Sequence, residues 1–205
     1  MIKLKNIKKF FGDKTILNNI NYTFNDNEIY LIKGYNGSGK TTLLNIISFL
    51  DKQVEGEIEI DQINFKKISN AKKNKFRKEN IIYIKPKNNI LSFTNCRIFI
   101  NMLEKCNDLE LISGIDLNKY RNEISGGEEM LVSLTKVINS SKKIVLLDEV
   151  TSQLDDINVL KIIEKLYKVK HGKIIIFATH DNRVITKMKS KLLELKGGVL
   201  YDRSE

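Results

Sequence analysis

The sequence predicts an α/β fold, a mostly parallel sheet flanked by helices, on three observations. "KIVLLDE" and "KIIIFATHD" are unbroken apolar runs ending in acidic or polar residues, the pattern of strands buried on both faces of a parallel sheet. Between them, "DDINVLKIIEKLYKVKHG" has helical spacing and completes a β-α-β unit. Upstream, "EIYLIKGYNGSGKTTLLNII" passes from a buried strand through a glycine-rich loop into a second helical pattern.

Along the chain, "IKLKNI" and "TILNNINYTF" read as early strands, joined at the turn "FFGDK". "EIYLIK" is the strand that enters the glycine loop, and the helix leaving it is expected from Thr41 to Leu50. "GEIEIDQ" alternates like a half-exposed strand, and "NIIYIK" is a further strand. Residues from about Ser92 to Tyr120 mix helical and loop signals and form an inserted helical segment. The tail "KLLELKGGVLYD" reads as a closing hairpin.

At 205 residues, with 41% hydrophobic and 29% charged residues, the chain can bury a core as one domain, residues 1–205. No apolar run approaches the roughly 20 residues that span a bilayer. "MIKLKNIKKF" lacks the apolar core of a signal peptide, so a cytoplasmic location is expected. The two cysteines, Cys96 and Cys106, show no metal spacing and read as ordinary thiols in or near the core. A net charge of +10 admits nucleic acid, an anionic membrane or a nucleotide as partner. The lysines are spread along the chain, with one local cluster at "NAKKNKFRKEN", so a solvated basic face is the simplest reading and no specific nucleic acid is expected.

The chemistry begins at "GYNGSGKT". Gly34, Gly39, Lys40 and Thr41 satisfy the G-x-x-x-x-G-K-[ST] pattern of a phosphate-binding loop, with a strand before it and a helix after it. The glycines let backbone N–H groups of Gly34, Tyr35, Asn36, Gly37, Ser38 and Gly39 wrap phosphate oxygens, and the helix N-terminus at Thr41 and Thr42 adds its positive dipole end. Lys40 is placed to reach the β- and γ-phosphates, and the Thr41 hydroxyl to ligate Mg²⁺. The ligand expected here is a nucleoside triphosphate. Asp148 and Glu149 close the strand "KIVLLDE". Two acidic residues at the end of a buried strand need partners. Mg²⁺ answers for Asp148, which leaves Glu149 to orient and polarise an attacking water.

"ISGGEE" follows the inserted segment and stands before the helical run "EEMLVSLTKVI". Ser125 and the N–H groups of Gly126 and Gly127 there make a second anion site on a helix N-terminus. The stretch resembles the LSGGQ signature of the ATP-binding cassette (ABC) family, in its expected order between the phosphate loop and "VLLDE". The resemblance implies a P-loop NTPase core with an N-terminal antiparallel β subdomain and an inserted helical subdomain at about residues 86–140. It implies ATP and Mg²⁺ as cofactors, and a head-to-tail dimer in which Ser125, Gly126, Gly127 and Glu128 of one copy cap the γ-phosphate held by the other's loop. It further implies that "TSQLD" is the D-loop with Asp155 as its acidic residue, and that His180 of "ATHD" is the switch histidine sensing the γ-phosphate. Phe11 matches the aromatic residue that stacks on adenine, with Phe10 as its rival; His171 gets no role.

The resemblance runs from Phe11 to the last strand, so no fused membrane domain, second cassette or coiled-coil insert is expected. The expected function is therefore the ATP-hydrolysing subunit of an ABC transporter, with Glu149, His180 and Lys40 catalytic. Its expected partners are itself or a homologous cassette, and polytopic membrane subunits docked around Lys85 to Asn101 on the inner face of the cell membrane. Small size leans towards export of a peptide or lipid-like compound. Two other classes fit the same motifs: a soluble ABC ATPase in assembly or nucleic-acid metabolism, and a nucleotide switch with slow turnover. Three departures bear on the choice. Pro86, the single proline, stands at or next to the usual position of a glutamine that contacts Mg²⁺, with Asn88 or Asn89 as substitutes. Glu128 replaces the glutamine of the signature, and Leu131 stands where a basic residue is common. Weaker metal coupling or altered communication with the partner is expected.

Overall fold

A computed structural model describes residues 1–87, 89–90, 94–102 and 107–203. In chain order the first half contains β1 (Ile2–Phe11), β2 (Lys14–Phe24), β3 (Glu28–Lys33), α1 (Lys40–Ile47), β4 (Glu55–Ile60), β5 (Ile63–Asn64), α2 (Asn70–Asn80) and β6 (Ile81–Ile84). The second half contains α3 (Cys96–Asn101), α4 (Gly126–Ile138), β7 (Ile144–Asp148), α5 (Asp156–Val169), β8 (Ile174–Thr179), α6 (Asn182–Lys187), β9 (Lys191–Lys196) and β10 (Val199–Asp202).

The strands form two sheets. β2-β1-β4-β5 is wholly antiparallel and comes from the N-terminal part of the chain. The larger sheet has the order β10-β9-β3-β8-β7-β6 and is parallel except for the closing β9–β10 hairpin. This is the α/β class the apolar runs predict, and the reason is visible in how their residues sort. Leu31, Val145, Leu147, Ile175 and Phe177 point to one face, where they pack with apolar residues of α4 and α5. Their neighbours Ile32, Ile144, Leu146, Ile174 and Ile176 point to the other, against α1 and the antiparallel sheet. A strand that feeds two cores cannot alternate with polar residues.

Because β3, β7 and β8 are adjacent and parallel, their C-terminal ends lie side by side. The glycine loop, Asp148–Glu149 and Thr179–His180 leave the sheet there, which brings distant motifs to one edge. α3 and α4 lie in the connection between the neighbouring strands β6 and β7.

Several elements differ from expectation. α1 ends at Ile47 rather than Leu50, because Phe49 turns into the left-handed region (φ 58°) and stacks on Phe65 at 4.7 Å between centroids. β1 continues through Phe10 and Phe11, leaving only Gly12 and Asp13 as the turn. The basic cluster is helix α2: Ser69 caps it, Phe76 packs on Phe49 and Phe65, and no residue of it is buried. Lys72, Lys75 and Lys78 of it are exposed, whereas Lys73 and Arg77 are half-buried. Cys96 is buried, whereas Cys106 and Asn88 lie outside the described residues. No helix among the described residues is long and apolar enough to cross a membrane.

Candidate nucleotide-binding and hydrolysis site

The loop between β3 and α1 is shaped by its glycines at two points. A Cβ on Gly34 would lie 2.6 Å from the Ser38 hydroxyl and 2.7 Å from the Leu195 carbonyl oxygen, and Gly39 occupies the left-handed region at φ 104°. Gly39 is also the N-cap of α1 and, having no side chain, leaves the first helical N–H groups uncapped by any hydroxyl or carboxylate. The loop curls around its own lysine. Lys40 is buried, and its Nζ donates to the carbonyls of Gly34 (2.7 Å) and Tyr35 (3.3 Å).

A cleft of 210 Å³ opens beside this loop, lined by Phe11, Asn36, Gly37, Gly39, Lys40, Thr41 and Thr42, with Glu149 at its edge. Of the two competing phenylalanines, it is Phe11 that lines the cleft; 56% of it is exposed. Ile16 on β2 lies beside it, an apolar wall that the sequence does not announce because it looks like any strand residue. Gly34, Tyr35 and Ser38 of the expected set do not line the cleft: Tyr35 points to solvent, and Ser38 turns a buried hydroxyl inward.

Asp148 and Glu149 meet opposite environments. Asp148 is fully buried, and burial pushes its carboxyl above the ordinary carboxylate range. The Tyr83 hydroxyl donates to its Oδ2 at 3.4 Å and the Thr41 hydroxyl supports it, yet Oδ1 has no well-formed hydrogen bond. A buried carboxylate oxygen left over beside a threonine hydroxyl is a donor set suited to a hard divalent cation such as Mg²⁺. Glu149 bends into the left-handed region (φ 51°), a strain of about 1 kcal/mol or more for a non-glycine residue. The turn aims its carboxylate back across the strand ends. Oε1 lies 3.1 Å from Lys40 Nζ and 2.9 Å from His180 Nδ1. Oε2 accepts from the Thr179 hydroxyl and the His180 N–H, each at 3.2 Å. Burial pulls the Glu149 carboxyl upward, but His180 and Lys40 outweigh it and hold it below the ordinary range. Glu149 is ionised and only 16% exposed, a concentrated acceptor facing the cleft.

The signature residues take no part in lining this cleft. Ser125 is the N-cap of α4, in a reciprocal capping box with Glu128: Ser125 Oγ accepts from Glu128 N at 3.1 Å, and Ser125 N–H donates to Glu128 Oε2 at 2.7 Å. Gly126 packs on the Gln153 side chain, and a Cβ on Gly127 would approach the Gln153 carbonyl to 3.0 Å, so the signature and the D-loop lie against each other. Asp155 caps α5, accepting from the Asn158 N–H at 2.8 Å. Arg183 on α6 ties this region down by donating to the carbonyls of Leu154 (2.9 Å) and Thr151 (3.1 Å) and pairing with Asp156 and Asp181. Arg183 and Tyr83 carry no sequence motif and emerge only from the fold, and the contact of Gln153 in "TSQLD" with Gly126 and Gly127 does so as well. At the Pro86 position, Asn89 Oδ1 accepts from Lys85 N–H and its Nδ2 donates to Lys85 O, so its amide closes the local loop rather than reaching Asp148. His171 is exposed on a turn.

Fold and site together define a P-loop nucleotide-binding fold of the cassette type. The ABC transporter family profile matches residues 17–152. The macrolide export ATP-binding/permease protein MacB of Campylobacter jejuni is 33% identical over 97% of this chain, which spans about a third (33%) of that relative's length. The methionine import ATP-binding protein MetN of the same species is 30% identical over 97% of the chain and 68% of its own. An ABC transporter ATP-binding protein of Methanocaldococcus jannaschii is 30% identical over 97% of this chain and 94% of its own. Its dimeric structure, a post-hydrolysis state bound to ADP and Pi, matches with a TM-score of 0.84 and 27% identity over 100% of both chains. The chain belongs to the ABC transporter family.

Proposed function

We propose that this chain binds and hydrolyses ATP as the cassette subunit of a transporter, working as a head-to-tail dimer with itself or a homologous cassette on the inner face of the membrane. The observation that carries the reading is the Glu149 carboxylate, held ionised beside Lys40 and His180 at the mouth of a phosphate-loop cleft. Strain at its backbone and four converging contacts are a costly way to place an ordinary surface glutamate.

In the proposed reaction, water attacks the γ-phosphorus, the bond to the ADP oxygen breaks, and ADP and inorganic phosphate leave. Glu149 accepts a hydrogen bond from the water and draws off its proton. Lys40 exchanges its carboxylate partner for phosphate oxygens, and His180 steadies Glu149 and the γ-phosphate. Thr41 and Asp148 would hold Mg²⁺, which when bound neutralises charge on the phosphates. Phe11 and Ile16 offer a face for the adenine. Ser125, Gly126 and Gly127 of a second copy would close over the γ-phosphate, with residues 86–140 as the subdomain that carries them.

Membrane subunits docked around Lys85 to Asn101 would turn this closing and opening into transport. The relatives are named for macrolide export and for methionine import, so their names do not favour the expected export over uptake. ATP turnover by the purified protein, compared with Glu149→Gln, tests the enzyme reading. A fall of about a hundred-fold or more is expected; equal rates in the two proteins would remove Glu149 from the chemistry and the reading with it.

A further inference from the structure

Lys9 on β1 is a buried charge that the proposed reaction does not use. The residue is only 3% exposed. Its Nζ donates to Asp51 Oδ1 at 2.8 Å and to the Gln53 carbonyl at 2.6 Å, two anchors from the segment that follows α1. The same ammonium sits over the ring of Phe11, 5.0 Å from its centroid. Phe11 lines the nucleotide cleft and is exposed, whereas Lys9 forms no part of the cleft wall. The ring therefore has a cation on its protein side and an open face towards the cleft.

We infer that Lys9 is a positioning residue for the base of the nucleotide, acting through the ring of Phe11. Two effects combine. An exposed phenylalanine at a strand end samples several rotamers, and a cation fixed behind the ring selects the one that faces the cleft. The charge also draws π density away from the open face, which lowers its repulsion towards the π face of a stacked base. Because Asp51 and the Gln53 carbonyl hold the ammonium, its place does not depend on the ligand. Were the position needed for packing alone, an apolar side chain would fill it without burying a charge that needs two partners. The inference rests on the proposed ATP-binding site and assigns the group that orients the base there.

The test separates the base from the phosphates. A non-hydrolysable ATP analogue and inorganic tripolyphosphate, which has no base, are titrated with Mg²⁺ by calorimetry. The proteins are wild type, Lys9→Met, Lys9→Arg, Phe11→Leu and the double variant Lys9→Met with Phe11→Leu. Lys9→Met is expected to weaken the analogue about five-fold and to leave tripolyphosphate unchanged. Lys9→Arg retains a cation and is expected to stay within about two-fold of wild type for both ligands. In the Phe11→Leu background, Lys9→Met should cost nothing further. Lys9→Gln keeps a donor for Asp51 and takes the place of Lys9→Met if that variant does not melt cooperatively. Equal loss of both ligands, an unchanged analogue affinity, or a loss that persists in the Phe11→Leu background overturns the inference alone. A wild-type protein that binds neither ligand overturns the ATP reading and the inference together.

Discussion

Asp148 shows how a single residue can be set against the stability of its own fold. Its carboxylate is fully buried, with one oxygen short of a hydrogen bond, and burial raises its proton affinity. The sign follows. A carboxyl whose folded pKa lies above the unfolded value destabilises the fold when ionised, fully above the folded pKa, and the penalty fades as pH falls through it. Asp148→Asn removes the charge while keeping the shape and a donor for a neighbouring oxygen. In EDTA at neutral pH the variant should be more stable by about 1–3 kcal/mol, a rise in Tm of roughly 2–4 °C per kcal/mol for a chain of this size. The gain should shrink as the solution is acidified. Thermal melts at a series of pH values check this, and a less stable Asp148→Asn at neutral pH would show that the carboxylate is better satisfied than its contacts indicate. The same variant should lose Mg²⁺-dependent turnover. Such opposed effects are what a residue retained for chemistry rather than for packing produces.

Among the elements, β4 depends most on one small residue. Gly56 sits at φ 97° opposite the irregularity where β1 and β4 slip register between Lys5 and Lys8. A Cβ there would lie 2.5 Å from the carbonyl oxygens of both Lys5 and Asn6, which are backbone atoms that cannot swing away. Gly56→Ala should therefore cost at least about 2 kcal/mol, seen as a lower urea midpoint with an unchanged slope. A loss below about 0.5 kcal/mol would mean that the bulge relaxes freely. No feature of "GEIEIDQ" distinguishes this glycine from the start of an ordinary strand, because the demand comes from a partner strand some fifty residues away. Other elements were legible for a local reason. The strand, glycine loop and helix around Lys40 are contiguous, and the apolar runs ending at Asp148 and Thr179 declare burial on both faces. The end of α1 was not legible, since it is set by Phe49 stacking on Phe65 from a later segment. Neither was the role of Asn89, an expected substitute near the metal that instead closes the turn around Lys85. Phe11 was preferred to Phe10 from the motif, and it is Phe11 that lines the cleft, since adjacent strand residues face opposite sides.

At the scale of the whole molecule, the phosphate loop and the signature do not share a cleft within one chain. If both serve one nucleotide, a second copy must supply the other half, and the character of α4's N-terminus then sets how tightly the pair closes. That terminus carries a carboxylate. Glu128 bonds to Ser125 N–H at 2.7 Å, and this contact with the backbone N–H and hydroxyl of Ser125 holds its carboxyl below the ordinary range. A negative charge in the first turn stabilises the helix by about 0.3–1 kcal/mol. It also repels an incoming γ-phosphate, by about 1 kcal/mol at contact-scale distances in a partly hydrated interface. Each symmetric dimer would bear that repulsion twice. Glu149→Gln should hold ATP without turnover and let the dimer accumulate, as sedimentation velocity can measure directly. Adding Glu128→Gln keeps the capping geometry, since an amide oxygen accepts the same Ser125 N–H, and removes both charges. The dimerisation constant with ATP should then tighten by about ten-fold or more at low salt, the advantage falling as ionic strength rises. Equal constants for the two proteins would show that the carboxylate lies outside the field of the phosphate. A chain that stays monomeric with ATP in both variants would rule out pairing with itself and leave a homologous cassette as the required partner.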